Sequence, residues 1–154
     1  MALFKPMIRI LQENDIDEVA DLWLDTNLKA HSFIPAGYWN EHFQKIKEMF
    51  QGAELYVFEN DAAHTIDGFI GLDKDYLAGI FVRSNAQSLG IGRQLLDYVK
   101  HKKDSLHLHV YCKNTRAVRF YRRENFQIRC ETTDPQTGEK ELLMAWQSSP
   151  LSDT

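Results

Sequence analysis

The chain has 154 residues, 44% of them hydrophobic and 26% charged, with 18 Lys and Arg against 22 Asp and Glu. That length and apolar content suit a single domain over residues 1–154 with a sizeable core, and a net charge of −4 offers nucleic acid no attractive field while mildly favouring a cationic partner such as an amine. Cys112 and Cys130, the two cysteines, make neither a disulfide framework nor a paired-cysteine metal knuckle, the apolar start "MALFKPMIRIL" is too short for a signal peptide, and no stretch reaches the length of a membrane span, so a cytoplasmic protein away from membranes is expected.

In chain order, "MIRIL" predicts a strand. "NDIDEVADLWLDTNLKA" predicts a helix, with Ile16, Val19, Ala20 and Trp23 on one face and Asp15 and Glu18 at capping-box spacing. The pattern breaks at "HSFIPAG". A second helix is predicted over "YWNEHFQKIKEMF", where Phe43, Ile46, Met49 and Phe50 recur at helical spacing and Gly52 stands just past the end. "ELYVFE", "IDGFIGL" and "YLAGIFV" read as an antiparallel meander. Leu95, Leu96, Tyr98 and Val99 mark a third helix, "LHLHVY" a strand, "NTRAVRFYRREN" a fourth helix, and "FQIRCETT" with "KELLMAW" a closing hairpin around "DPQTG". The order β-α-α-β-β-β-α-β-α-β-β describes a mixed α/β (α+β) domain.

The join between the third meander strand and the third helix carries two glycines, Gly90 and Gly92. A strand, a turn with few side chains and a helix start bring several unpaired N–H groups and the positive end of a helix dipole to one spot, an arrangement suited to a phosphate or pyrophosphate. A glycine-bearing turn without a ligand is the alternative, and both readings stay open on spacing alone. No Lys followed by Ser or Thr comes after the second glycine, so a Walker-type nucleotide site is not expected.

Gln87-Ser88-Leu89-Gly90-Ile91-Gly92 resembles the Q/R-x-x-G-x-G/A signature of GCN5-related N-acetyltransferases, and "NTRAVRFY" resembles the N-x-x-A-x-x-F-Y helix of the same family. The resemblance covers essentially the whole chain. It implies a mostly antiparallel sheet of about seven strands flanked by about four helices, with a splayed strand pair holding acetyl-coenzyme A as co-substrate. It also implies that the main chain of Ile80, Phe81 and Val82 pairs with the pantetheine arm, and that amides from Gln87 to Arg93 (Gln87, Ser88, Leu89, Gly90, Ile91, Gly92 and Arg93) cradle the pyrophosphate. Asn114 has two compatible readings, helix N-cap and coenzyme contact. Tyr121 shares a helical face with Ala117 and Val118 and reads as a core tyrosine; the resemblance implies instead that it protonates the departing thiolate.

Tyr76 stands where many members carry a catalytic carboxylate. Asp73, Asp75 or water is left as the general base, although both aspartates read equally as turn residues. Leu89 replaces a frequent basic residue, for which Arg93, Arg122 or Arg123 can compensate. "KAHSFIPAGYWN" resembles the H-x-F-I-x-x-x-Y-W pattern of some bacterial members, which makes His31, Phe33, Tyr38 and Trp39 candidates for the acceptor pocket; packing of the helical pair is the competing reading. His107 and His109 share a strand face but lack a third ligand, so no metal site is expected. Cys112 reads as structural.

The expected activity is transfer of acetyl from acetyl-coenzyme A to a primary amine (a small molecule, a peptide N-terminus or a lysine) by direct attack in a ternary complex. A non-catalytic acyl-coenzyme A sensor and a nucleotide-free interaction domain are the rival readings. A homodimer is compatible with the sequence.

Overall fold

The element pattern read from the sequence is realised in a computed structural model that describes residues 7–60, 62–87 and 89–149. The elements are β1 (Met7–Ile10), α1 (Ile16–Ala30), α2 (Ala36–Phe50), β2 (Glu54–Asn60), β3 (Thr65–Asp73), β4 (Tyr76–Val82), α3 (Ile91–Lys100), β5 (Ser105–Tyr111), α4 (Thr115–Arg123), β6 (Gln127–Thr133) and β7 (Lys140–Gln147). The strands form one seven-stranded sheet in the order β1-β2-β3-β4-β5-β7-β6. Its neighbours are antiparallel throughout, except that β4 runs parallel to β5. A parallel pair needs a crossover connection, which α3 supplies.

Each face of the sheet carries its own core. Leu95, Leu96 and Val99 of α3 and Tyr121 of α4 pack with Leu77, Leu106, Leu108 and Met144 on one face. Val19, Ala20 and Trp23 of α1 and Trp39 and Phe50 of α2 pack with Leu55, Val57 and Phe69 on the other. Strand alternation sets this division, since Leu106, Leu108 and Val110 of β5 turn toward α3 and α4 while Tyr111 packs on the α1–α2 side. The face predicted for α1 is buried as expected, with Ile16, Val19, Ala20 and Trp23 each at most 9% exposed.

Two local expectations change. The Asp15–Glu18 capping box does not form: Asp15 is itself the third residue of a short 3-10 turn, and its carboxylate accepts from the Gln12 amide at 2.8 Å and from Arg9 at 2.7 Å. Burial alone would raise the Asp15 pKa, but these donors hold it below the usual carboxylate value. Glu18 is drawn away from the cap to accept from the Ile66 amide of β3 at 2.8 Å. Secondly, α2 begins at Ala36, with Pro35 as its N-cap, two residues before the aromatic pattern starts. Proline's fixed φ suits a helix entry, a signal that hydrophobic periodicity does not register.

At the far end of α4, Asn125 adopts a left-handed φ of 72°, and Phe126 donates to the Tyr121 carbonyl at 2.9 Å, closing the helix. Leu95, fully buried between α3 and the sheet, fixes the helix whose start carries the two glycines. Leu95→Ala is expected to lower stability by about 2–5 kcal/mol. Urea unfolding checks this as a lower midpoint at unchanged slope; a change well under 1 kcal/mol would mean that α3 is not anchored through this side chain.

Candidate active site

β4 and β5 meet in a single register pair, Tyr76 opposite His107, reinforced by the His107 amide donating to the Asp75 carbonyl at 3.0 Å. Beyond that point the strands part, leaving a cleft that widens toward the C-terminal end of β4. Alternation fixes which main-chain groups face it. The Arg83 amide donates across to the Asp67 carbonyl of β3 at 2.7 Å, so Arg83 and Phe81 spend their main-chain groups on β3 while those of Val82 and Ile80 point into the cleft. Of the three residues expected to offer main chain to a ligand, Phe81 instead contributes a ring, stacked on Phe69 at 4.7 Å beneath α1 and α2.

The wide end of the cleft is formed by the glycine loop. Gly90 is the N-cap of α3 with φ 83° and ψ 9°, a left-handed conformation that a side chain would strain. Among the described residues no side chain caps α3, and the amides of Ile91, Gly92 and Arg93 have no partner within the helix. Gln87 secures the loop from both ends of its amide: Nε2 donates to the Val82 carbonyl at 3.0 Å and Oε1 accepts from Arg116 at 2.6 Å. Leu89 is 69% exposed, and the Arg93 guanidinium lies 3.9 Å from Asp97. Ser88 lies outside the described residues.

Tyr121 enters the cleft from α4, its ring 7% exposed among Phe120 and Phe126. The core reading of this residue holds. Yet its hydroxyl has no hydrogen bond among the described residues, and burial, with a further contribution from Tyr76, pushes its pKa well above the usual phenol value. It is therefore a protonated phenol within electrostatic reach of Tyr76, the residue at which β4 meets β5.

Asn114 is the N-cap of α4, its Oδ1 accepting from the Ala117 amide at 3.2 Å, an interaction typically worth about 1 kcal/mol. That bond fixes the orientation of the amide, so Nδ2 donates to His31 Nε2 at 3.2 Å, and His31 Nδ1 donates to Asn27 Oδ1 at 3.0 Å. His31 also stacks on Trp39 at 5.3 Å and meets Phe33 and Tyr111 edge-on. Both of its nitrogens are engaged, and burial pushes its pKa down to about 4. It is a neutral bridge between α1 and the cap of α4.

Of the remaining acceptor-pocket candidates, Trp39 is in the core, 7% exposed, with an indole N–H that finds no partner among the described residues. Phe33 and Tyr38 are partly open. The Tyr38 hydroxyl donates to Gln136 at 2.8 Å, bringing α2 to the β6–β7 turn. In the wall opposite, the sequence marked Tyr76 and His109 separately but not Tyr111, Asp134 or Glu141: Tyr111 donates to Asp134 Oδ2 at 2.6 Å, Tyr76 shares a hydrogen bond with His109 Nδ1 at 3.0 Å, and Glu141 has its pKa raised by burial despite a favourable contribution from His109. The alternation in "LHLHVY" placed His107, His109 and Tyr111 on one face, but nothing in the sequence brought Asp134 and Glu141 to them. Tyr38, in turn, has its pKa raised by burial and by the charges of Asp134 and Glu141. Aromatic rings and carboxylates thus come together where α2 and the β6–β7 turn meet the end of β5.

The model of the acetyltransferase (GNAT) domain matches residues 51–128, from the end of α2 into β6. The chain belongs to the GNAT acetyltransferase family. Peptidyl-lysine N-acetyltransferase YiaC of Escherichia coli (strain K12) is 31% identical over 142 residues, covering 91% of this chain and 96% of that one. The solution structure of apo YjaB from Escherichia coli has a TM-score of 0.81 at 22% identity, over 92% of this chain and 97% of that one. PaiA N-acetyltransferase from Thermoplasma acidophilum, solved in complex with coenzyme A, has a TM-score of 0.75 at 16% identity, over 93% of this chain and 99% of that one. The expected family and the seven-stranded, four-helix fold are borne out, and the GNAT domain is that of an acyltransferase.

In this GNAT chain the His31 bridge has a measurable consequence. A histidine held neutral has a folded pKa, about 4, below the ordinary value of about 6.5, so the unfolded chain binds the proton first as pH falls. Stability from this group is complete above about pH 6.5, declines as pH drops to about 4 and then levels off. The expected loss is on the order of 3 kcal/mol. Chemical denaturation across this range should show the decline in the wild type and a shallower one in His31→Gln; equal slopes would mean that His31 is not held neutral.

Proposed function

We propose that the chain transfers acetyl from acetyl-coenzyme A to the side-chain amine of a lysine presented by a peptide segment, as one catalytic domain. The observation that carries this reading is the parting of β4 from β5 after one register pair, with the α3 amides at the glycine loop on one side and the buried Tyr121 phenol, within electrostatic reach of Tyr76, on the other. The names of YiaC and YjaB as peptidyl-lysine N-acetyltransferases support the acceptor class. An opening lined by Phe33, Tyr38, Tyr111, Asp134 and Glu141 suits an alkyl chain that ends in a cation.

The residues present fit the coenzyme. A Cβ on Gly92 would meet only the Phe120 ring at 3.6 Å and the Ile80 side chain at 3.8 Å, ordinary contacts, so packing does not require glycine there. Approach of a ligand does, since the same Cβ would stand between the cleft and the α3 amides. The amides of Leu89 to Arg93 hold the pyrophosphate, with Gln87 securing the loop; Ile80 and Val82 offer main-chain partners to the pantetheine arm; and Asn114 borders the cleft as the cap of α4. Bound acetyl-coenzyme A supplies an acetyl group activated as a thioester. Tyr121 holds its proton at neutral pH and delivers it to the departing sulfur. No cysteine faces the cleft as an acyl carrier: Cys130 is exposed, and Cys112 is partly buried with its thiol pKa raised by burial. Direct attack by the amine follows. Two unpaired thiols suit the cytoplasm.

Gly92→Glu is expected to abolish acetyl-coenzyme A binding in calorimetry while the thermal transition is retained. Unchanged affinity would place the pyrophosphate elsewhere. Tyr121→Phe is expected to lower turnover by about 10- to 100-fold with coenzyme affinity nearly unchanged, because the ring and its packing survive. Steady-state kinetics with a lysine peptide measure this; wild-type turnover would leave Tyr121 a core residue only. Binding of acetyl-coenzyme A without thiol release from any amine would favour the sensor reading.

A further inference from the structure

Acetylation of an ammonium removes two protons from its nitrogen. One ends on the coenzyme sulfur, by way of Tyr121 on the reading above, and the other must reach solvent. We propose that Tyr76 and His109 form the route for that second proton, Tyr76 facing the amine and His109 accepting behind it. This rests on the acetyl-transfer reading and deepens it.

Tyr76 occupies the position where β4 and β5 meet, at the narrow end of the cleft, and Tyr121 and Tyr76 are close enough for the charge of one to bear on the other. The Tyr76 hydroxyl lies 3.0 Å from His109 Nδ1. Its ring is held between two imidazoles, edge-on to His107 at 5.1 Å and tilted against His109 at 5.8 Å, so the hydroxyl is aimed rather than free to swing. His109 is exposed, and its Nε2 has no partner among the described residues, which leaves it open to water.

The transfer balances in two linked steps. The N–H bond of the ammonium breaks as its proton passes to the Tyr76 oxygen, while the Tyr76 O–H proton passes to His109 Nδ1. The imidazolium then gives up its Nε2 proton to water, leaving a neutral ring protonated at Nδ1, and proton exchange with water returns it to the Nε2–H tautomer before the next turnover. Tyr76 never has to exist as a phenolate, which burial and the charge of Glu141 disfavour. Glu141 of β7, within electrostatic reach of His109, stabilises the transient cation. The other titratable groups around this pair are Tyr121 of α4, Tyr38 of α2, and His107 and Tyr111 on β5 itself.

The aspartates considered from sequence fit less well. Asp73 and Asp75 precede the Tyr76–His107 pair that closes the cleft, so they lie outside its narrow end; Asp73 is exposed, and the Asp75 side chain is 56% exposed and 4.0 Å from His107.

The test compares wild type, Tyr76→Phe and His109→Gln in kcat/KM against pH with a lysine peptide, alongside thermal melts and acetyl-coenzyme A titration. Phenylalanine keeps the ring and glutamine keeps a hydrogen-bond acceptor, so both variants are expected to fold and to bind coenzyme as the wild type does. At neutral pH each should lose about 10²-fold in kcat/KM. The deficit should close as pH approaches the acceptor's own pKa, about 10.4 for lysine, and should be small at any pH for an aromatic amine, which arrives neutral. A deficit that is constant with pH and equal for both acceptors overturns the relay and makes the pair structural, as does wild-type activity in both variants. Wild-type protein that acetylates no amine overturns the acetyl-transfer reading itself, a different result from either.

Discussion

The parting of β4 from β5 after one register pair is the constraint on which the rest of the structure depends. A gap inside a sheet leaves main-chain groups without partners, a costly state once water is excluded. The protein answers part of that demand itself, with the Gln87 side chain covering the Val82 carbonyl. The rest remains as a row of donors and acceptors for an extended ligand. The same gap makes room for α4 to project Phe120 and Tyr121 toward the sheet, and it brings the start of α3 to the cleft mouth.

A cleft between two halves of a sheet has to be held at a fixed width, and here polar contacts between helices do so. The chain Asn27–His31–Asn114 ties α1 to the cap of α4 across the opening. Glu18 of α1 reaches the Ile66 amide of β3 and Arg83 beyond β4, and Lys29 of α1 reaches Ser84. Burying a histidine in such a chain is tolerable because each nitrogen has a partner; protonation would turn the Asn114 contact from attraction to donor against donor. The stack of Trp39 on His31 excludes water from this bridge.

Fold and loop were legible in the sequence because both rest on local signals. Periodicity marked α1 and α3, and glycines marked the one turn needing φ of 83°. The Asn114 cap was likewise readable from its place before an amphipathic helix. What escaped depended on which partner won each side chain. Asp15 stands at the N-cap position of α1 as expected, but Arg9 and the Gln12 amide claimed its carboxylate, and β3 claimed Glu18. Trp39 looked like a pocket residue until α1 covered it. His109 resembled an ordinary polar-face histidine because its partner, Tyr76, lies 33 residues away on a strand joined to it by a single pair. Asp134 and Glu141 carry no local signal at all; only the return of β7 beside β5 brings them to the opening.

The acceptor wall is carried on the β6–β7 hairpin, whose outer strand β6 is exposed along its whole length at the rim of the sheet. On the acetyl-transfer reading, donor handling sits in β4, α3 and α4, near the middle. Such a division separates two kinds of heritable change. Side-chain changes in the 134–138 turn then bear on acceptor choice rather than on coenzyme use, within the shape that Asp134, bonded to Tyr111, and Gly138, at a left-handed φ of 76°, impose. Alterations in the glycine loop carry no such freedom. A lineage built on this architecture can therefore diversify its targets by drift at one edge while the chemistry at the centre stays constant.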